Sequence, residues 1–357
     1  MRERRPIRVM VADDSPTLRH ALRLLLEEDP EISVVAEARD GDEAVAVARR
    51  VAPDVITMDV MMPGLDGLRA TEEIMEVAPT RIIVISQLAT REQDLAFRAL
   101  AAGALELLPK PAVETDHDLR RWGLAVRQTV RLMHEVPVVT RRRSASQCAG
   151  NVRPGRTRTL DAFGLVASTG GPQAMVAILA NLPPRLPIAL LVAQHIASGF
   201  LDGMRRWFAE STRLEVRVAR DEEKPRLGCV YLPPPDCNLV WTPSGILRTP
   251  RCTQSVCPSG DELLLSLAEA LGPRAGGVVL SGMGEDGARG LLAIRRAGGF
   301  TLAQSAATAV VNGMPGAAQA LGAAEALVAP EEVATLLVAA CSPGLAGDLT
   351  VAHGPRR

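Results

Sequence analysis

Apolar runs of four to six residues alternate with longer stretches whose apolar positions recur at helical spacing, and this alternation constrains the fold more than any other feature. In the first third the runs are 7–12, 33–36, 55–58, 82–85 and 105–108, and between them lie the amphipathic stretches 18–26, 44–51, 68–77 and 95–102. Strands separated by helices cross over instead of pairing as hairpins, so these five predict a parallel sheet wrapped on both faces, the doubly wound arrangement. A second set opens with strand 163–167 and a helix from Pro172, then strand 188–193, a helix from Phe200 and strand 214–218. Residues 228–250 include Pro233 to Pro235, which cannot sit inside a helix, and are expected to form antiparallel hairpin structure. Helix 261–271, strand 277–280, helix 288–297, strand 300–303 and a helix near 331–340 complete a second, larger α/β domain.

Between the two sets a helix is expected over 119–133, followed by a polar, Arg-rich tether through Arg141, Arg142 and Arg143 to Gly155. The expected boundaries are 1–124 for the first domain, 125–159 for the linker, 160–345 for the second domain and 346–357 for a tail. A chain of 357 residues accommodates two such domains.

Bulk charge excludes one class of function. Forty basic residues against 41 acidic give a net charge of -1, so the chain as a whole is no polyanion binder, and the second half has no basic recognition helix for nucleic acid. The longest uncharged run, 297–324, is interrupted by Gln304, Asn312 and Pro315 and makes a poor membrane span, while Asp13 and Asp14 break the apolar start too early for a signal peptide. The six Cys form no C-x-x-C pair and have no His at metal-ligand spacing, so they are expected to be reduced thiols in a cytoplasmic protein.

Open parallel sheets bind ligands at the carboxyl ends of their strands. Asp13 and Asp14 end the first run and Asp59 ends the third. Three carboxylates converging there repel one another unless a cation lies between them, and hard oxygen donors suit Mg2+. Such a pocket is arranged for phosphoryl transfer to a carboxylate, with Ser86 and Lys110, at the ends of the fourth and fifth runs, directed at the same phosphoryl group. A cis bond before Pro111 would suit a turn that holds the ammonium inward. Across residues 7–124 the chain resembles the receiver domain of two-component response regulators. The resemblance rests on Val11-Ala12-Asp13-Asp14-Ser15, Met58-Asp59-Val60-Met61-Met62-Pro63-Gly64, Ser86 and Lys110-Pro111. It implies a flavodoxin-like doubly wound fold, phosphate transfer to Asp59 from a histidine kinase, and Mg2+ held by Asp13, Asp14, Asp59 and the backbone carbonyl of Met61.

In the second domain, strand 163–167 runs into Ser168-Thr169-Gly170-Gly171-Pro172, a tight turn that lifts the Ser168 hydroxyl to the sheet edge near free N–H groups. Such a turn serves a nucleophile or a phosphate cradle; it is not a G-x-S-x-G elbow, because Val166 stands at the first Gly. His195 follows the next strand at the same edge. Gly282-Met283-Gly284-Glu285-Asp286-Gly287 matches G-x-G-x-x-G, but no acidic residue lies near 20 positions on, and Asp286 would put a carboxylate against a pyrophosphate. Ser168, His195 and Asp286 then supply nucleophile, base and orienting acid, with the N–H groups of Thr169 and Met283 as candidate oxyanion donors. The predicted chemistry is acyl transfer to water, with no cofactor at that site.

These segments, with Asn312-Gly313-Met314-Pro315, resemble the catalytic domain of the chemotaxis protein-glutamate methylesterases over residues 162–340. The resemblance implies a mainly parallel doubly wound hydrolytic domain and hydrolysis of glutamyl methyl esters on chemoreceptors, with deamidation of receptor glutamines as a second activity. The receiver is expected to cover the Ser168 cleft until Asp59 is phosphorylated. The competing reading is a response regulator whose second domain only binds a partner, or one acting outside chemotaxis.

Overall fold

The structure, a computed structural model, describes residues 5–87, 89–111, 115–136, 159–254 and 256–341. The chain divides into two compact units, 1–147 and 148–357.

The first unit carries β1 (Ile7–Ala12), α1 (Pro16–Glu27), β2 (Ile32–Ala38), α2 (Gly41–Val51), β3 (Val55–Asp59), α3 (Gly67–Val77), β4 (Arg81–Ser86), α4 (Thr90–Ala102), β5 (Glu106–Pro109) and α5 (Asp116–Glu135). Its sheet is ordered β2-β1-β3-β4-β5 with every pairing parallel, the flavodoxin-like order expected of a doubly wound domain. Every residue of β3 is buried, as a strand covered by helices on both faces must be. Helix α5 extends past the expected boundary at 124. It is tied to β5 through Trp122, whose indole N–H donates to the Pro109 carbonyl, and to α1's end by the ion pairs Arg127–Glu28 and Arg131–Asp29. Residues 125–135 are therefore part of the first unit, and 137–158 and the tail lie outside the described residues. The cis bond expected before Pro111 is not found; among the described residues the cis bond is Cys257–Pro258.

The second unit carries β6 (Ala162–Ala167), α6 (Gly171–Ala180), β7 (Ala189–Gln194), α7 (Leu201–Ser211), β8 (Glu215–Val218), β9 (Cys229–Leu232), β10 (Val240–Trp241), β11 (Leu247–Arg248), α8 (Gly260–Leu271), β12 (Ala275–Val279), α9 (Ala288–Arg296), β13 (Phe300–Gln304), α10 (Met314–Ala320), β14 (Ala326–Val328) and α11 (Pro330–Cys341). The main sheet runs β14-β13-β12-β6-β7-β9-β8, all parallel. The expected hairpin is real but differs from 228–250: β9 joins the parallel sheet, while β10 and β11 pair antiparallel and isolated antiparallel bridges join Cys237 to Arg251 and Glu223 to Leu247. Strand order reverses between β6 and β12, so the switch-point crevice opens at their carboxyl ends. Helix α8 lies close over β6 because Gly164 has no side chain; a Cβ there would come within 2.5 Å of Leu264. One expectation fails outright. Cys252 and Cys257 form a disulfide, since a separation of five residues in this loop brings their Cα atoms to 5.9 Å, while Cys229, Cys237 and Cys341 are free.

Candidate active site

In the first unit the strand ends gather charge. Carboxylate oxygens of Asp13, Asp14 and Asp59 all lie within 4.8 Å of one another, Asp13 and Asp59 buried and Asp14 exposed. Lys110 Nζ stands 2.7 Å from Asp59 Oδ2 and 3.1 Å from Asp13 Oδ2. Burial pushes the Asp59 carboxyl up to about 6 against the pull of the Lys110 hydrogen bond, and the Asp13 charge adds to the rise. Burial pulls Lys110 down, but its bonds to Asp59 and Asp13 more than offset this and raise it. Three hard oxygen donors at this separation, two of them withdrawn from water, fit a Mg2+ ion. The Met61 N–H donates to Asp59, and the Ser86 hydroxyl donates to the Gln87 carbonyl.

In the second unit the three residues singled out from sequence follow β6, β7 and β12, neighbours in the sheet. Pairing of Ala167 with Gln194 sets Ser168 beside His195, and the His195 N–H donates to the Ala167 carbonyl. His195 Nε2 lies 2.9 Å from Asp286 Oδ2, with both side chains mostly buried. Asp286 also accepts from the N–H groups of Gly260 at 2.6 Å and Asp261 at 3.0 Å, and from the Ser259 hydroxyl at 3.3 Å. Burial alone would raise its carboxyl, but the hydrogen bonds from His195, Asp261 and Gly260 prevail and hold it below the usual carboxylate range. Among the described residues, no hydrogen bond joins the Ser168 hydroxyl to His195.

Two glycine positions make the nucleophile turn possible. Gly170 adopts φ +73°, a left-handed conformation that costs other residues strain. Gly282 lets the third loop close on the first: a Cβ there would lie 2.8 Å from Ser168 Cβ and 2.1 Å from Met314 Sδ. The Ser281 hydroxyl donates to the Thr169 carbonyl and accepts from the Val311 N–H, stitching three loops at one point. The N–H groups of Thr169 and Met283 make no hydrogen bond among the described residues. A small groove flanks the His195 turn, lined in part by Gln194, Ile196, Leu201, Met204, Leu232 and Pro258.

Sequence reasoning missed Ser259, Gly260 and Asp261, although Ser259-x-x-Glu262 has capping-box spacing and the Ser259 hydroxyl does cap α8. It also assigned no role to Gln194.

Comparison with known proteins agrees with this division. Residues 163–337 match the family model described as CheB methylesterase, and residues 9–119 match the response regulator receiver domain. A protein-glutamate methylesterase/protein-glutamine glutaminase of Myxococcus xanthus is 49% identical over 343 residues, covering 96% of each chain. A second protein of that description, from Anaeromyxobacter dehalogenans, is 44% identical over 93% of this chain and 98% of its own. The crystal structure of the Thermotoga maritima CheB methylesterase catalytic domain is 29% identical, covering 50% of this chain and 98% of that one with a TM-score of 0.48. No helix among the described residues is long and apolar enough to cross a membrane. Identity sustained along nearly the whole length of two such relatives carries one conclusion: this chain belongs to the family of receiver-bearing protein-glutamate methylesterases/protein-glutamine glutaminases.

Proposed function

We propose that the chain hydrolyses glutamyl methyl esters on methyl-accepting chemoreceptors in the cytoplasm, with Ser168 as nucleophile, His195 as base and Asp286 as orienting acid, and deamidates receptor glutamines at the same site. The observation that carries the reading is the His195–Asp286 hydrogen bond at 2.9 Å, formed at the strand end adjacent to Ser168. Asp286 engages Nε2, which leaves Nδ1 as the ring nitrogen that accepts the Ser168 proton. The alkoxide attacks the ester carbon, and the N–H groups of Thr169 and Met283 take the oxyanion, where a single donor is worth about 3 kcal/mol. His195 returns the proton to the departing methanol, or to ammonia from a glutamine, and then draws a proton from the water that cleaves the acyl-serine.

Regulation falls to the first unit. Asp59 accepts a phosphoryl group from a histidine kinase, and Ser86 and Lys110 contact that group. Asp13, Asp14, Asp59 and the Met61 carbonyl hold Mg2+, which when bound offsets charge on the phosphoryl oxygens. Lys110, itself paired with Asp13, holds the Asp59 carboxylate in place before transfer. Phosphorylation then raises the esterase rate.

Methanol release from methylated receptors tests the reading. Ser168→Ala should lower the rate by about 10³ or more. Unchanged release would favour a second domain that only binds a partner. Asp59→Asn should keep the basal rate and lose its increase with a small phosphodonor.

A further inference from the structure

Gln194 lies between the strand end of β7 and the base, yet the reaction as derived gives it no task. Its side chain is 3% exposed. Its amide nitrogen lies 2.9 Å from the Ser168 carbonyl and 2.9 Å from the His195 carbonyl. One NH2 group has two protons, so each carbonyl receives one. The price is paid at the other end of the amide: Gln194 Oε1 is buried with no hydrogen-bond partner among the described residues, a state that costs a neutral acceptor its desolvation penalty. Rotating the amide would set that oxygen against two carbonyl oxygens, so the orientation is dictated by the two acceptors. Gly171 makes room for it, since a Cβ there would lie 2.3 Å from Oε1 and 2.5 Å from the Ala167 Cβ.

Resting on the triad reading above, we infer that Gln194 is a positioning residue that fixes the Ser168 and His195 peptides to each other, so that hydroxyl and imidazole meet in register. The two residues sit on separate loops, and no hydrogen bond between their side chains holds them together in the structure. The shared amide supplies the restraint through their main chains, and a buried unpartnered oxygen is what remains when both its protons are used there. Ser168 touches the substrate; Gln194 acts only through Ser168 and His195.

The test uses the full chain, treated with a small phosphodonor, and compares Gln194→Glu and Gln194→Met with wild type and with Ser168→Ala. Methanol release from methylated receptor gives kcat and KM, and the rate of Ser168 labelling by a serine-directed sulfonyl fluoride reports the nucleophile alone. The proposal expects kcat to fall about 10- to 100-fold in both variants, the scale of a displacement near 1 Å. KM should stay within about twofold, both variants should still unfold in one cooperative transition, and labelling should slow in parallel with kcat. Wild-type kcat or labelling in either variant would overturn it, as would a variant pair that fails to fold, which would assign Gln194 to the core. If Ser168→Ala retains activity the triad reading falls; if it is inactive while the Gln194 variants work normally, only this inference falls.

Discussion

Asp286 and Asp261 cap each other's helices. The Asp286 carboxylate accepts the Asp261 N–H in the first turn of α8, and the Asp261 carboxylate accepts the Gly290 N–H in the first turn of α9 at 2.8 Å. Each helix start therefore holds the side chain that holds the other. Asp261→Ala should cost about 1 kcal/mol of stability, as cap removals do, and lower kcat by loosening the turn that carries Asp286. Asp261→Asn, which keeps the acceptor oxygen, should lie between. The exposed Arg289 partner of Asp261 contributes little to either figure. Urea denaturation alongside methanol release would check this, and an Asp261→Ala protein with wild-type kcat would contradict it.

The hydrogen bonds around Asp286 lower its carboxyl pKa, and the sign of the linkage follows. A carboxylate depressed in the folded state stabilises the fold above its ordinary value, about 3.9, and that contribution is lost as pH falls through the lower folded value. The stability difference between wild type and Asp286→Asn should be constant above about pH 5 and shrink below about pH 4. Denaturant titrations at each pH measure it; a difference that widens in acid would refute the assignment.

Gly282→Ala should disable the site with little effect on the first unit. The added methyl meets Met314 Sδ at 2.1 Å and Ser168 Cβ at 2.8 Å, so either the sulfur or the nucleophile must move. Overpacking of this kind costs about 1–3 kcal/mol. The expected result is a lower melting temperature for the second unit and a slower Ser168 reaction with a sulfonyl fluoride, while Asp59 phosphorylation stays normal.

Removing Mg2+ with a chelator should abolish phosphorylation of Asp59 by a small phosphodonor and leave the unphosphorylated esterase rate unchanged, because the acidic cluster belongs to the first unit and Ser168 to the second. Phosphate-affinity electrophoresis read beside methanol release would show both. A basal esterase rate that falls with chelation would place a metal requirement in the second unit.

Strand ends were the legible part of this chain. Asp13, Asp59, Lys110, Ser168 and His195 stand where apolar runs stop, and in each parallel sheet those stops share one edge. Side chains that act across the sequence were not legible. Asp261 meets Asp286 from 25 residues away, and Gln194 reaches Ser168 from 26, so no local spacing announces either pair. The proline run at 233–235 hid β9, whose four buried residues end just before it and whose register is set by β7 and β8. Short α10 and β14 lack the periodicity that marked the other elements, and β14 is defined by its parallel pairing with β13. The Cys252–Cys257 disulfide follows from a loop path that residue spacing does not encode.

Four donors converge on the two oxygens of Asp286: an imidazole, a hydroxyl and two main-chain amides. A carboxylate so fully engaged has little capacity left for water or for a passing ligand, and it cannot swing without breaking several bonds at once. It is the stationary post of the cleft. Any widening of the range of side chains this chain can process must then come from the walls after β7 and β9, where the less buried Ile196, Pro234 and Pro235 can be exchanged without disturbing the anchor.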